Sequence, residues 1–166
     1  MTTHTFSDPA LGSWSEVRAR DSVTRYRRSG VGQAVLLLDG AGGASLWPEL
    51  LHVLGANFRL IVPELPPGSA DQGAALTEFL EGLGIAKVVV VAASDYSVPA
   101  LDLVLRGVDQ VSRLVLVPDG DAEDPDNTWF TTTAGPGSAP LLVVWRGMDP
   151  AKALPTVSRF VSGAAL

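Results

Sequence analysis

Val88-Val89-Val90-Val91-Ala92-Ala93-Ser94-Asp95-Tyr96 is the stretch on which the fold turns. A strand with one wet face alternates apolar and polar side chains, whereas this run is apolar without interruption until Ser94, so both of its faces must be covered. That is the signature of a parallel sheet sandwiched between helices. Working outward, Val35 to Leu38, Leu60 to Val62, Leu114 to Val117 and Leu141 to Trp145 repeat the continuous pattern. Helical spacing fills the intervals. Leu76, Phe79, Leu80 and Leu83 fall at i, i+3, i+4 and i+7, with Gly84 placed to end the helix. Val98, Leu101, Leu105 and Val108 predict a second apolar stripe. Residues 45–55 put Leu46, Leu50, Val53 and Leu54 on one face, with Pro48 tolerated in the first turn. The alternation predicts a doubly wound, mostly parallel α/β sheet preceded by an antiparallel hairpin from Trp14 to Arg28. Residues 1–166 are read as one domain, with 1–12 a flexible arm. Residues 119–140, rich in Asp, Gly, Thr and Pro around Trp129 and Phe130, are read as a long loop over the sheet edge.

Composition narrows the function classes. The chain has 166 residues, room for one core and no second domain of equal size. No apolar run approaches the roughly eighteen residues of a membrane span, and the first ten residues lack the basic and apolar segments of a secretory leader. A cytoplasmic location and no membrane partner are therefore expected. There are no cysteines, so disulfides, thiolate metal sites and cysteine nucleophiles are excluded. A net charge of −6 disfavours a phosphate backbone, and no nucleic-acid partner is expected. Arg18, Arg20, Arg25, Arg27 and Arg28 form the one basic cluster, read as the solvated face of the hairpin.

In sheets of this kind ligands sit beyond the carboxyl ends of the strands, where loops converge and helices begin. Every predicted parallel strand delivers a polar or acidic group there. Asp39-Gly40-Ala41 follows Leu38, Glu64 follows Pro63, Ser94-Asp95 follows Ala93, Asp119 follows Pro118, and Asp149 closes the segment after Trp145. Helix capping by Asp and Ser accounts for some of these, but less well for all of them together.

With those residues in view, the chain resembles the α/β-hydrolase superfamily from about Val23 to Pro150. Tyr26-Arg27-x-x-Gly30 followed by Val35-Leu36-Leu37-Leu38-Asp39-Gly40-x-Gly42-Gly43 is similar to the family's opening hairpin and oxyanion strand. Pro63-Glu64-Leu65-Pro66 resembles its Pro-Asp-Leu-Pro turn. Leu83-Gly84-Ile85 and Val88 to Ser94 align without a gap on the approach to Gly-x-Ser-x-Gly, and Val111 to Val117 falls at the expected distance beyond. Leu141 to Trp145 with Asp149-Pro150 is similar to the strand and loop bearing the family's catalytic acid. The resemblance implies Ser94 as nucleophile, Asp149 as the acid that orients a histidine, and the backbone N–H groups of Ala41 and Asp95 as oxyanion hole. Gly40, Glu64, Tyr96 and Trp47 would border the pocket.

The chain departs from the family pattern in three places. A serine hydroxyl needs a general base, yet the histidines are only His4 and His52. His52 projects opposite the Leu46/Leu50/Val53/Leu54 stripe, and His4 lies on the arm. The sequence is read as ending before the strand and loop where the family's own histidine stands. Second, the glycines flanking the nucleophile are replaced by Ala92 and Tyr96, and a tyrosine two residues after the nucleophile is expected to clash with the neighbouring strand. A slip of one residue, making Asp95 the elbow residue as in epoxide hydrolases and haloalkane dehalogenases, stays open beside the Ser94 reading, which the ungapped flanks favour. Third, residues 119–140 replace the usual helical cap, with Trp129, Phe130 and Trp47 available as a partial cover.

Asp39 stands where the family often has histidine, so carboxylates at Asp39, Asp149 and Glu64 could crowd one rim and raise one another's pKa; capping of its own loop explains Asp39 equally well. The expectation is a hydrolase-fold protein with an incomplete Ser-His-Asp triad that binds a small organic molecule and carries out non-hydrolytic acid/base chemistry on it. The alternatives are an esterase or lactonase using Ser94 with a base from elsewhere, and a non-catalytic module that dimerises through a sheet edge exposed by the missing final strand. No cofactor and no metal are expected. Gly40-x-Gly42 with Glu64 is only a partial dinucleotide fingerprint, since Ser45 takes the third glycine position. The Asp119, Asp121, Glu123, Asp124 and Asp126 cluster lacks calcium-loop spacing.

Overall fold

The computed structural model describes residues 14–38, 47–65, 71–93, 96–106, 108–119, 129–133, 139–145, 147–164 and 166. The expectation of a flexible arm over 1–12 lies outside them. In chain order the elements are β1 (Trp14–Ala19), β2 (Ser22–Ser29), β3 (Ala34–Leu38), α1 (Trp47–Gly55), β4 (Arg59–Pro63), α2 (Gln72–Leu83), β5 (Val88–Ala93), α3 (Ser97–Leu105), β6 (Val111–Val117), β7 (Trp129–Thr133), β8 (Pro140–Val144) and α4 (Pro150–Ser162). The strands form one sheet in the order β1-β2-β4-β3-β5-β6-β8-β7. From β4 to β8 all pairings are parallel, and the antiparallel pairings, β1 with β2, β2 with β4 and β7 with β8, lie at the two flanks.

The continuous apolar runs are explained by two cores, one on each side of the sheet. Val35, Leu37, Val89 and Val91 point to the side covered by α1 and α4, where they meet Leu50, Leu54, Val157 and Phe160. Leu36, Leu38, Val90 and Ala92 point the other way and meet Leu76, Phe79, Leu80 and Leu103 of α2 and α3. All six residues of β5 are buried, which places it at the centre. The α2 stripe is as expected, and Gly84 ends that helix at φ 64°.

The opening hairpin rests on α2 through Val17 and through Tyr26, whose ring meets Phe79 edge-on at 5.6 Å and 72°. Such a pair adds roughly 0.5–1.5 kcal/mol to simple burial. On the outer face the basic cluster is spread over local partners. Arg20 reaches Glu78 and Glu81 of α2 at 3.7 and 3.6 Å, while the Arg25 and Arg27 guanidinium groups lie 4.8 and 4.9 Å from the Trp14 ring.

Two expectations are corrected. The α3 core face is Ala100, Leu103 and Val104, whereas Val98 and Leu105 are 77% and 64% exposed, and Val108 falls beyond the helix. Seven of nine residues in Ser97–Leu105 are apolar or proline, so a period of 3.6 fits more than one phase. The 119–140 segment is not loop throughout: Trp129–Thr133 forms β7, in uninterrupted antiparallel register with β8 from Trp129↔Val144 to Thr133↔Pro140. Aromatic and β-branched residues favour this conformation, a signal hidden by the Asp, Gly and Pro on both sides. As a result the edge of β8 expected to be bare is paired. After Val144 the described chain forms one helix, α4, and no further strand.

Candidate functional site

The parallel register fixes one rim. Leu38 of β3 stands beside Ala92 of β5, Ala93 beside Val117 of β6, and Leu116 beside Val143 of β8. The strands leading to residues 39, 94, 118 and 145 therefore end on the same edge of the sheet. Adjacent strands are about 5 Å apart, so β3 and β5 end as immediate neighbours and β8 ends roughly 10 Å from β5. Asp39, Gly40, Ala41, Ser94 and Asp95 themselves lie outside the described residues, as do His4 and the side chain of Trp47.

Asp149 is described, and its carboxylate works as a helix cap. The Met148 N–H donates to the Trp145 carbonyl at 3.0 Å, and buried Met148 anchors this end of β8 in the core on the α4 side. Asp149 then opens α4. One of its carboxylate oxygens, Oδ1, accepts the Ala151 N–H at 3.0 Å, its carbonyl accepts the N–H groups of Lys152 and Ala153, both at 2.9 Å, and Pro150 takes the first helical position. The side chain is exposed. Capping gives Asp149 a structural role that is independent of chemistry at the rim.

Glu64 follows β4 and turns toward the hairpin. Its N–H donates to the Arg25 carbonyl at 2.8 Å, and its carboxylate lies 3.8 Å from the Arg25 guanidinium. Both partners are about half exposed, so the pair contributes little stability, but it gives this carboxylate a cation on the β2 side.

Tyr96 corrects the expected clash. Its ring packs against the core on the α2/α3 side, and its hydroxyl donates to the Leu65 carbonyl at 3.2 Å. Leu65 belongs to the loop after β4 and Tyr96 to the turn after β5, with β3 between those strands. The phenol is a strut tying the loop on one side of β3 to the turn on the other.

His52 lies in the last turn of α1 and is exposed, as its position opposite Leu50 and Leu54 predicts. Because α1 leaves the rim after β3 and returns the chain to the start of parallel β4, its last turn is the end remote from the rim. Ser97, which sequence reasoning did not single out, belongs with the rim residues. It opens α3, one turn before buried Ala100, and its hydroxyl is buried with no hydrogen-bond partner among the described residues. Only proximity to Ser94 could have suggested it. Among the described residues no cluster of His, Asp and Glu is arranged to hold a metal ion. No described helix is long and apolar enough to cross a membrane.

No family model and no curated protein matches the chain. Solved structures do. A meta-cleavage product hydrolase from Pseudomonas fluorescens is 22% identical, over 70% of this chain and 48% of its own, at a TM-score of 0.52. An epoxide hydrolase from Vigna radiata is 19% identical, over 67% of this chain and 39% of its own, at 0.55. A bacterial membrane phospholipase A is 19% identical, over 68% of this chain and 41% of its own, at 0.56. The chain has the α/β-hydrolase fold. The chain spans less than half the length of each of these structures.

Proposed function

We propose that this chain binds a small organic molecule at the rim where β3, β5 and β8 end, and moves a proton on it through Asp39, Asp149 or Tyr96 instead of cleaving it through an acyl-serine. The observation that carries this reading is the position of His52: exposed, in the last turn of α1, at the end of that helix remote from the rim. A serine hydroxyl that no imidazole activates is a poor nucleophile, and His52 is not placed to activate Ser94. Proton transfer from a positioned carboxyl or phenol needs no such partner. The Ser97 hydroxyl beside the rim, buried and without a partner among the described residues, supports a polar contact to the ligand there. The test is a fluorophosphonate probe with a panel of activated esters and lactones, run beside a thermal-shift screen of small carbonyl compounds and organic acids. A ligand that raises Tm, with no labelling of Ser94, is the expected result. Stoichiometric labelling of Ser94 with ester turnover would reject it.

A second reading keeps hydrolysis of a small ester or lactone by Ser94, with the base drawn from His4, from a partner subunit or from a water held by carboxylates. It is favoured by the similar structures, which are described as hydrolases and a phospholipase. The same probe decides between the two.

A further inference from the structure

We propose that β7 is a pairing edge for a second copy of this chain, joining two sheets antiparallel across a two-fold axis at Thr131. The sheet ends in β1 on one flank and in β7 on the other. The two edges differ in chemistry. β1 sets Trp14, Glu16 and Arg18 on its exposed face, and charged side chains on an edge strand discourage further pairing. β7 reads Trp129-Phe130-Thr131-Thr132-Thr133, with no charge, no proline and no glycine, and its register with β8 runs without a bulge. Charge, proline and a bulge, three devices that normally blunt an edge, are all missing from it. Thr131, Thr132 and Thr133 are all exposed, and among the described residues β8 is its only partner strand.

An uncharged strand is its own complement. Antiparallel pairing about Thr131 sets that residue opposite its copy and position 129 opposite Thr133 of the copy, so threonines face each other across the axis in a pair that suits them. The chain carries a net charge of −6, so two copies repel over most approaches, and an edge without charged side chains is where they can meet. A strand of five residues is only about 17 Å long, less than a stable interface requires. The surface beside it supplies more: Pro140, Phe160 and Leu166 border the threonines in a shallow groove, and Leu166 is 42% exposed. The copy's matching residues would close over this groove.

The chain has no cysteine, so a single one can be introduced cleanly. Sedimentation velocity over a concentration series should show a reversible monomer–dimer equilibrium in the wild-type chain. Thr131→Lys combined with Thr133→Lys sets like charges across the axis and should weaken dimerisation more than about tenfold, with an unchanged circular dichroism spectrum. Thr131→Cys should be captured as a dimer by a short bifunctional maleimide, whereas Lys152→Cys on exposed α4 should not. A wild-type chain that stays monomeric throughout the series overturns the proposal, as does a dimer that survives the lysine pair or cross-links equally through both cysteines.

Discussion

Replacing Asp149 separates its structural role from a chemical one. Asp149→Ala removes the side-chain acceptor for the Ala151 N–H and the negative charge at the start of α4. Loss of an N-cap costs about 1 kcal/mol, and loss of charge at a helix N-terminus a further ~0.3–1 kcal/mol. The side chain is exposed, so the lower end of the electrostatic range applies. The helix is worth protecting: Ala153, Val157, Phe160 and Val161 carry its inner face into the core. A total of about 1–2 kcal/mol corresponds to a Tm lower by roughly 2–8 °C in a chain of this size. Asp149→Asn keeps an amide oxygen for the cap and loses only the charge, so its Tm should fall by less than half as much. Both variants should lose proton transfer on a bound ligand if Asp149 is the acid or base, whatever their stability. Scanning calorimetry with a chemical-denaturation series measures the first effect, and turnover or ligand titration the second. An Asp149→Ala chain that melts with the wild type refutes the capping argument; equal losses in the two variants show that charge, not the hydrogen bond, is what α4 uses.

Gly30→Ala should lower Tm by roughly 5–15 °C. Gly30 has φ 75°, and an added Cβ would overlap the Phe58 carbonyl oxygen, a backbone atom that cannot swing away. Together these cost about 2–4 kcal/mol. Gly84→Ala, at φ 64° with nothing within 4 Å of its Cβ position, is the control and should lose only about 1 kcal/mol in urea denaturation. Tyr96→Phe removes the bond to the Leu65 carbonyl and should cost ~0.5–1.5 kcal/mol; no change in urea midpoint would mean that the strut carries no load. Ser97→Ala should raise the stability of the ligand-free chain by up to about 1 kcal/mol, since a buried hydroxyl without a partner is a liability. A lower stability instead would reveal a bound water.

The centre of the fold was legible because continuous apolar runs admit few alternatives. Val88 to Ala93 can only be a strand covered on both faces, and its register with β3 and β6 follows. Legibility failed where the same physics gave two answers. In α3 apolar residues surround the helix, so Val98 and Leu105 were as eligible for the core as Leu103 and Val104. β7 is only five residues long and is held by its register with β8, while the Asp, Gly and Pro around it in the sequence give a loop signal that outweighs so short a strand. The rim was half legible. That residues 39, 94 and 149 follow strands ending on one edge could be read from spacing, but not that Asp149 would be spent on a cap, Glu64 on Arg25, or Tyr96 on a loop two strands away.

β7 comes before β8 in the chain yet lies outside it, and this imposes an order of assembly. Nothing can hold β7 until β8 has slotted in beside β6, so the chain must first pass over an empty place in the sheet and wait for it to be filled. A nascent chain that has emerged only as far as Thr133 presents two unsatisfied strands at once, the flank of β6 and the whole of β7. Completion of the sheet from that side depends on residues made after Thr133, so ribosome stalling in this interval, more than anywhere earlier, should leave a product that aggregates.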